Sequence, residues 1–198
     1  MTTLQKSLLF LLLIGLTNSA IAQESVVTNG TYTIETNPAY WILGGFSVKG
    51  YHHRTNRWSF GVQVEGGFEL PEFARDQFFD IPDNSDVDWD WAFSSEVRFR
   101  LNENEINKGF YLFGTLGYEK WTVSSTADQG ELRNWFSSLG FGYTWYPFKK
   151  EKFHVGGSYN VIFLLNNTNE RTLNNITYEL NGIVPPSLIP NLTIGWRF

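Results

Sequence analysis

The chain has 198 residues, a formal charge of −5, no cysteine, and a 17% share of Phe, Trp and Tyr. One domain is the expectation at this length. The missing cysteine excludes disulfides, thiolate metal sites, thiol catalysis and lipidation through cysteine, and the acidic balance argues against nucleic acid as a partner. A mean hydropathy of −0.24 excludes a bundle of membrane-spanning helices but not a barrel, which hides its apolar half by alternation.

Residues 1–22 carry Lys6, the apolar run 8–16 and Ala20-Ile21-Ala22 ahead of Gln23, the pattern of a secretory signal with an Ala-x-Ala cleavage site. The apolar run is about half of the ~20 residues a spanning helix requires. The expectation is cleavage after Ala22, leaving residues 23–198 as the folded domain.

Strand patterns then follow one another. Residues 26–36 are weakly patterned, with Thr31, Thr33 and Glu35 alternating with Tyr32 and Ile34. Residues 40–52 place Ile42, Phe46 and Val48 against Leu43, Ser47, Lys49 and Tyr51. Residues 58–70 set Trp58, Phe60, Val62, Val64, Phe68 and Leu70 against Ser59, Gly61, Gln63, Glu65, Gly67 and Glu69. In residues 89–101 Trp89, Trp91, Phe93, Val97, Phe99 and Leu101 oppose Asp90, Ala92, Ser94, Glu96, Arg98 and Arg100. Residues 109–121, 132–146, 153–165 and 189–198 repeat the alternation, the last with Leu192, Ile194, Trp196 and Phe198 on one face and Arg197 on the other.

A period of two over segments this long predicts strands with one apolar and one polar face. Several charged side chains on one face do not make a dry core, but they suit the polar interior of a barrel whose apolar side meets lipid. The fold predicted is all-β, an eight-stranded antiparallel up-and-down transmembrane β-barrel. Connections alternate short (53–57, 102–108, 147–152) and long (71–88, 122–131, 166–188), which assigns the short ones to the periplasm and the long ones to the outside. The acidic connection 71–88 is expected in water. A competing layout begins the barrel at residue 40 and uses 176–181 as a strand, at the cost of inverting that asymmetry. Trp58, Phe99, Phe110, Trp145, Phe153, Trp196 and Phe198 fall at the short-turn ends, and Phe68, Trp89, Trp91 and Trp135 at the others. Aliphatic residues lie between, as two aromatic girdles around an apolar band require.

With these residues in hand the chain resembles the small outer-membrane β-barrel superfamily, which includes OmpA-type transmembrane domains, OmpX and OmpW, and is most similar to the short barrel proteins common in Bacteroidota. The resemblance rests on Gly109-Phe110-Tyr111-Leu112-Phe113-Gly114, Leu139-Gly140-Phe141-Gly142-Tyr143 and the closing Leu192-Thr193-Ile194-Gly195-Trp196-Arg197-Phe198. It implies a Gram-negative outer-membrane location and outer-membrane lipid and lipopolysaccharide as surroundings. It also implies that Leu192, Ile194, Trp196 and Phe198 form the signal read by the barrel assembly machinery. These motifs specify assembly and place rather than activity.

The candidate site is the interior. An eight-stranded barrel is just wide enough for its side chains to fill, so Lys49, Glu65, Glu96, Arg98, Arg100, Glu119 and Arg197 are expected to form a buried, mutually satisfied ion-pair network. His52, His53 and His154 fall near the short-turn rim, where contact with water is the simple reading. The run Asp80-Ile81-Pro82-Asp83-Asn84-Ser85-Asp86-Val87-Asp88 misses the EF-hand spacing. No catalytic, cofactor or metal-ligating residue is assigned. The functional expectation is a monomeric, non-enzymatic barrel with a structural or surface-interaction role. The alternatives are a narrow pore or hydrophobic-molecule conduit, hinted at by inward Phe113, Phe136, Ile162 and Leu164, and a lipid A-modifying hydrolase.

Overall fold

A computed structural model describes residues 31–80, 85–102, 107–125, 128–165, 170–184 and 191–198; the expected signal at 1–22 lies outside them. The elements are β1 (Thr31–Thr36), α1 (Pro38–Ile42), β2 (Phe46–His53), β3 (Trp58–Gly66), β4 (Phe68–Glu69), α2 (Glu72–Phe78), β5 (Phe79–Asp80) and β6 (Asp86–Arg100). After these come β7 (Gly109–Ser124), β8 (Gln129–Trp145), β9 (Phe153–Leu164), β10 (Glu170–Leu173), β11 (Ile176–Leu180), β12 (Ile183–Val184) and β13 (Asn191–Arg197).

Eight of these strands close on themselves. Each of β1, β2, β3, β6, β7, β8, β9 and β13 pairs antiparallel with the next, and β13 returns to β1 through Thr33 opposite Arg197 and Thr36 opposite Ile194. Closure leaves no sheet edge along the wall. The first strand is therefore the weakly patterned one, from Thr31 onward, and Ile176–Leu180 lies outside the wall, in a small sheet with β10 and β5. Residues 40–45 do not extend β2. Pro38 sits in the first turn of α1, and Asn37 accepts a hydrogen bond from the Ala39 amide at 3.0 Å, so the chain turns there.

Polarity runs opposite to that of a water-soluble barrel. Outward-facing Val48, Val62, Val64, Phe93, Leu112, Leu116, Leu139 and Phe141 are exposed, while Glu35, Lys49, Glu65, Glu96, Arg98, Arg100 and Glu119 are buried in the lumen. Monomers in water rarely expose an apolar surface on this scale.

Two aromatic positions depart from expectation. Phe68 and Trp89 point inward and are buried, as is Leu70. Gly66 (φ +136°) and Gly67 (φ +80°) turn the chain between β3 and β4, and β6 shifts register between Trp89 and Trp91. Each irregularity reverses the face presented by the residues beyond it. The two inward rings then meet, Phe68 opposite Trp89 with centroids 5.4 Å apart and planes at 90°. Trp91 stays outward, beside Tyr118.

The connection after β4 is likewise more than a solvated loop. Ala74 of α2 and Phe79 of β5 are buried with Leu173 of β10 and Tyr178 and Leu180 of β11. This cluster rests on the inward Trp121, Val123 and Leu132 at the long-loop end. Arg75 is buried and donates from Nη1 to the Ser85 carbonyl at 2.8 Å, and the Ser85 hydroxyl bonds the Tyr178 hydroxyl at 3.2 Å. The charged composition of 71–88 concealed an apolar cap packed on the long-loop end of the lumen.

Candidate functional site: the barrel interior

Arg98 on β6 is the hub. Its fork meets both oxygens of Glu35 on β1, Nη1 at 3.0 Å and Nη2 at 2.9 Å, and its Nε meets Glu96 Oε1 at 2.5 Å. The Tyr51 hydroxyl accepts from Arg98 Nη2 at 2.5 Å and donates to Glu96 at 3.1 Å. The guanidinium also lies over the Tyr51 ring at 3.8 Å and the Tyr111 ring at 4.7 Å. A planar five-donor fork suits this task, serving two carboxylates and two ring faces at once. Glu35 holds a further partner, His154 Nε2 at 3.0 Å.

The other expected members are distributed around this hub. Lys49 lies 3.8 Å from Glu65, which accepts from Ser47 Oγ at 3.2 Å. Arg100 is buried without a carboxylate among the described residues. Its Nη2 donates to Asn107 Oδ1, Asn107 donates to Tyr146 Oη at 2.9 Å, and the Arg100 guanidinium stands 5.1 Å from the Tyr111 ring. Burial raises the Tyr146 phenol further from ionisation. Arg197 stands apart from the hub, at the short-turn rim. It is half-buried, 3.3 Å from Glu151 and 4.8 Å from the Tyr146 ring. Glu119 shares a chamber wall with the indoles of Trp121 and Trp89 and the carboxylate of Glu65, and has no ion pair among the described residues.

The histidines differ from the rim reading. His154 is fully buried against Glu35, and His53 is buried between Thr33 Oγ1 at 2.8 Å and Ser59 Oγ at 2.7 Å. His52 is half-buried and stacks on Tyr32. Glu35, Tyr51 and Asn107 are therefore central residues absent from the expected set. Glu35 shares parity with inward Thr33, a signal present in the sequence but weak in so short a strand. The stretch 81–84 of the acidic run lies outside the described residues, and Asp86 and Asp88 take the outward-facing alternation of β6.

Beyond the hub, toward the cap, the lumen holds a partly enclosed chamber of about 110 Å³ lined by Lys49, Gln63, Glu65, Glu96, Glu119 and aromatic rings including Trp89, Trp121 and Phe136. In the closing strand Leu192, Trp196 and Phe198 point outward and are exposed, with Ile194 half-exposed opposite Val155.

No family model and no curated protein matches this chain. Among solved structures it is similar to Ail, the attachment invasion locus protein of Yersinia pestis, at 17% identity over 85% of this chain and 95% of that one, TM-score 0.40. It is also similar to the N-terminal β-barrel domain of Pseudomonas aeruginosa OprF, at 11% identity over 87% and 100%, TM-score 0.43. A third likeness is to Neisserial surface protein A, at 13% identity over 85% and 92%, TM-score 0.40.

Proposed function

We propose that this chain is an integral outer-membrane barrel of Gram-negative type, monomeric and non-enzymatic, that does not conduct and that acts through its capped end. One observation carries this reading: the wall is apolar outside and ion-paired inside, so hydrocarbon is the solvent its outer face fits. The capped end, built from the long connections, then faces the exterior, with lipopolysaccharide around the wall. The outward alternation of Leu192, Ile194, Trp196 and Phe198 fits a segment read by the barrel assembly machinery.

Two features support a filled rather than open lumen. The Arg98 hub spans it from β6 to β1, and Leu180, Tyr178 and Phe79 cover the far end. Both stand where a pore or a hydrophobic conduit would need free passage. For a hydrolase the nearest pair is Ser59 and His53, but both are buried, and the other ring nitrogen of His53 meets Thr33 rather than a carboxylate. Purified protein in a planar bilayer tests the reading. It is expected to give no single-channel steps, and reproducible unitary conductance would overturn it.

A further inference from the structure

We propose that the chamber beneath the cap binds a small organic ammonium ion. Its charge is unbalanced in one direction. Three carboxylates line it, Glu65, Glu96 and Glu119, with Lys49 as the cation on its wall. Arg98 is shared between Glu96 and Glu35, and Lys49 stands by Glu65. Glu119 lines the same space as Trp121, Trp89 and Glu65 and has no ion pair among the described residues. A buried carboxylate without a counter-charge is costly to ionise and takes up either a proton or a cation, and one monocation would balance it.

The walls and their unused polar atoms point to an organic rather than an inorganic ion. Trp89 and Trp121 stack at 5.5 Å, and Phe68 closes on Trp89 edge-on, presenting ring faces of the kind that attract ammonium groups. Gln63 Oε1 and the indole Nε1 of Trp89 and Trp121 belong to side chains more than nine-tenths buried, line the same space, and have no hydrogen-bond partner. Gln63 offers an acceptor to a charged N–H or polarised N–CH₃. The indoles offer donors to Glu119 and to any hydroxyl the guest carries. A volume of about 110 Å³ is somewhat below that of a cavity holding benzene, about 150 Å³. The guest is therefore an ammonium of about five non-hydrogen atoms.

Ammonium binding in the lumen is independent of whether the barrel conducts. Its test uses full-length protein refolded in detergent micelles, titrated with tetramethylammonium chloride and with tert-butanol, a neutral molecule of the same shape. Binding is followed by calorimetry and tryptophan fluorescence. Tetramethylammonium is expected to saturate and to bind at least about tenfold tighter than tert-butanol, a difference of one decade in Kd. Glu119→Gln, which keeps size and shape, removes that preference, and Lys49→Met strengthens ammonium binding by lifting a like charge. Equal affinity for the two probes, no saturation below about 100 mM, or a Glu119→Gln variant that binds as the parent does would each overturn the proposal. The comparison of probes on the unaltered chain stands even where a variant fails to fold.

Discussion

Replacing Arg98 with Met is the most informative single change to the lumen. Arg98 and Glu35 are 3% and 1% exposed as side chains, and Glu96 6%, so solvent screening does not soften the loss. Arg98→Met keeps length and bulk but leaves two buried carboxylates. Glu35 retains His154, and Glu96 retains the Tyr51 hydroxyl. Removing one partner of a buried pair costs about 3–5 kcal/mol, and with two carboxylates stranded the upper half of that range is expected. Arg98→Lys recovers only part, because an ammonium cannot make the bidentate contact. Adding Glu35→Gln to Arg98→Met removes one stranded charge and returns about 2 kcal/mol, a coupling within the range found for groups in contact. The assay is urea unfolding of protein refolded into lipid vesicles, read by tryptophan fluorescence and by the mobility of unheated samples on gels. A loss under about 1 kcal/mol for Arg98→Met, or additivity in the double variant, would refute the hub as the organising charge of the interior.

Three other perturbations follow from the same geometry. Arg197→Ala breaks a half-exposed rim pair with Glu151 and costs no more than about 1 kcal/mol in the same unfolding assay; a cost like that of Arg98 would mean that the two arginines share one network. Gly117→Val places a branched side chain where a Cβ would already lie 2.6 Å from Ser94 Cβ and against the Phe136 ring. Overpacking of about 1–3 kcal/mol is expected, and an unchanged unfolding midpoint would show that the lumen is looser there. Gly66→Ala sets a Cβ 2.6 Å from Trp91 Cα at φ +136° and should lower stability while moving Trp89. Near-ultraviolet circular dichroism identical to that of the parent would contradict the turn described between β3 and β4.

Uninterrupted strands were the legible part of the sequence. Along β7 and β8 every residue alternates without an insertion, and Tyr111, Phe113, Thr115 and Glu119 face inward where a period of two puts them. The same count failed at Phe68 and Trp89, because an inserted residue changes the face without changing composition. Ion-pair partners were harder still. Arg98 reaches Glu35 across the lumen, three strands away around the ring, and no neighbour relation in the sequence signals a contact of that kind. Arg197 has inward parity, yet it lies two residues past Gly195, the partner of His154, at the rim where the lumen ends. The cap was hidden by averaging. The acidic side chains of 71–88 outnumber the apolar ones that do the packing, and burial depends on Ala74 and Phe79 individually rather than on their segment's charge.

Because the chain contains no cysteine, single thiols can be introduced along one strand without background, and this gives the most direct test of a barrel wall set in hydrocarbon. Bimane attached in turn at positions 137, 138, 139, 140 and 141 of β8, in vesicles containing mid-bilayer doxyl-labelled lipid, should be quenched strongly at Leu139 and Phe141 and weakly at Ser138 and Gly140. Quenching that is uniform along the strand, or strongest at Ser138, would contradict the account.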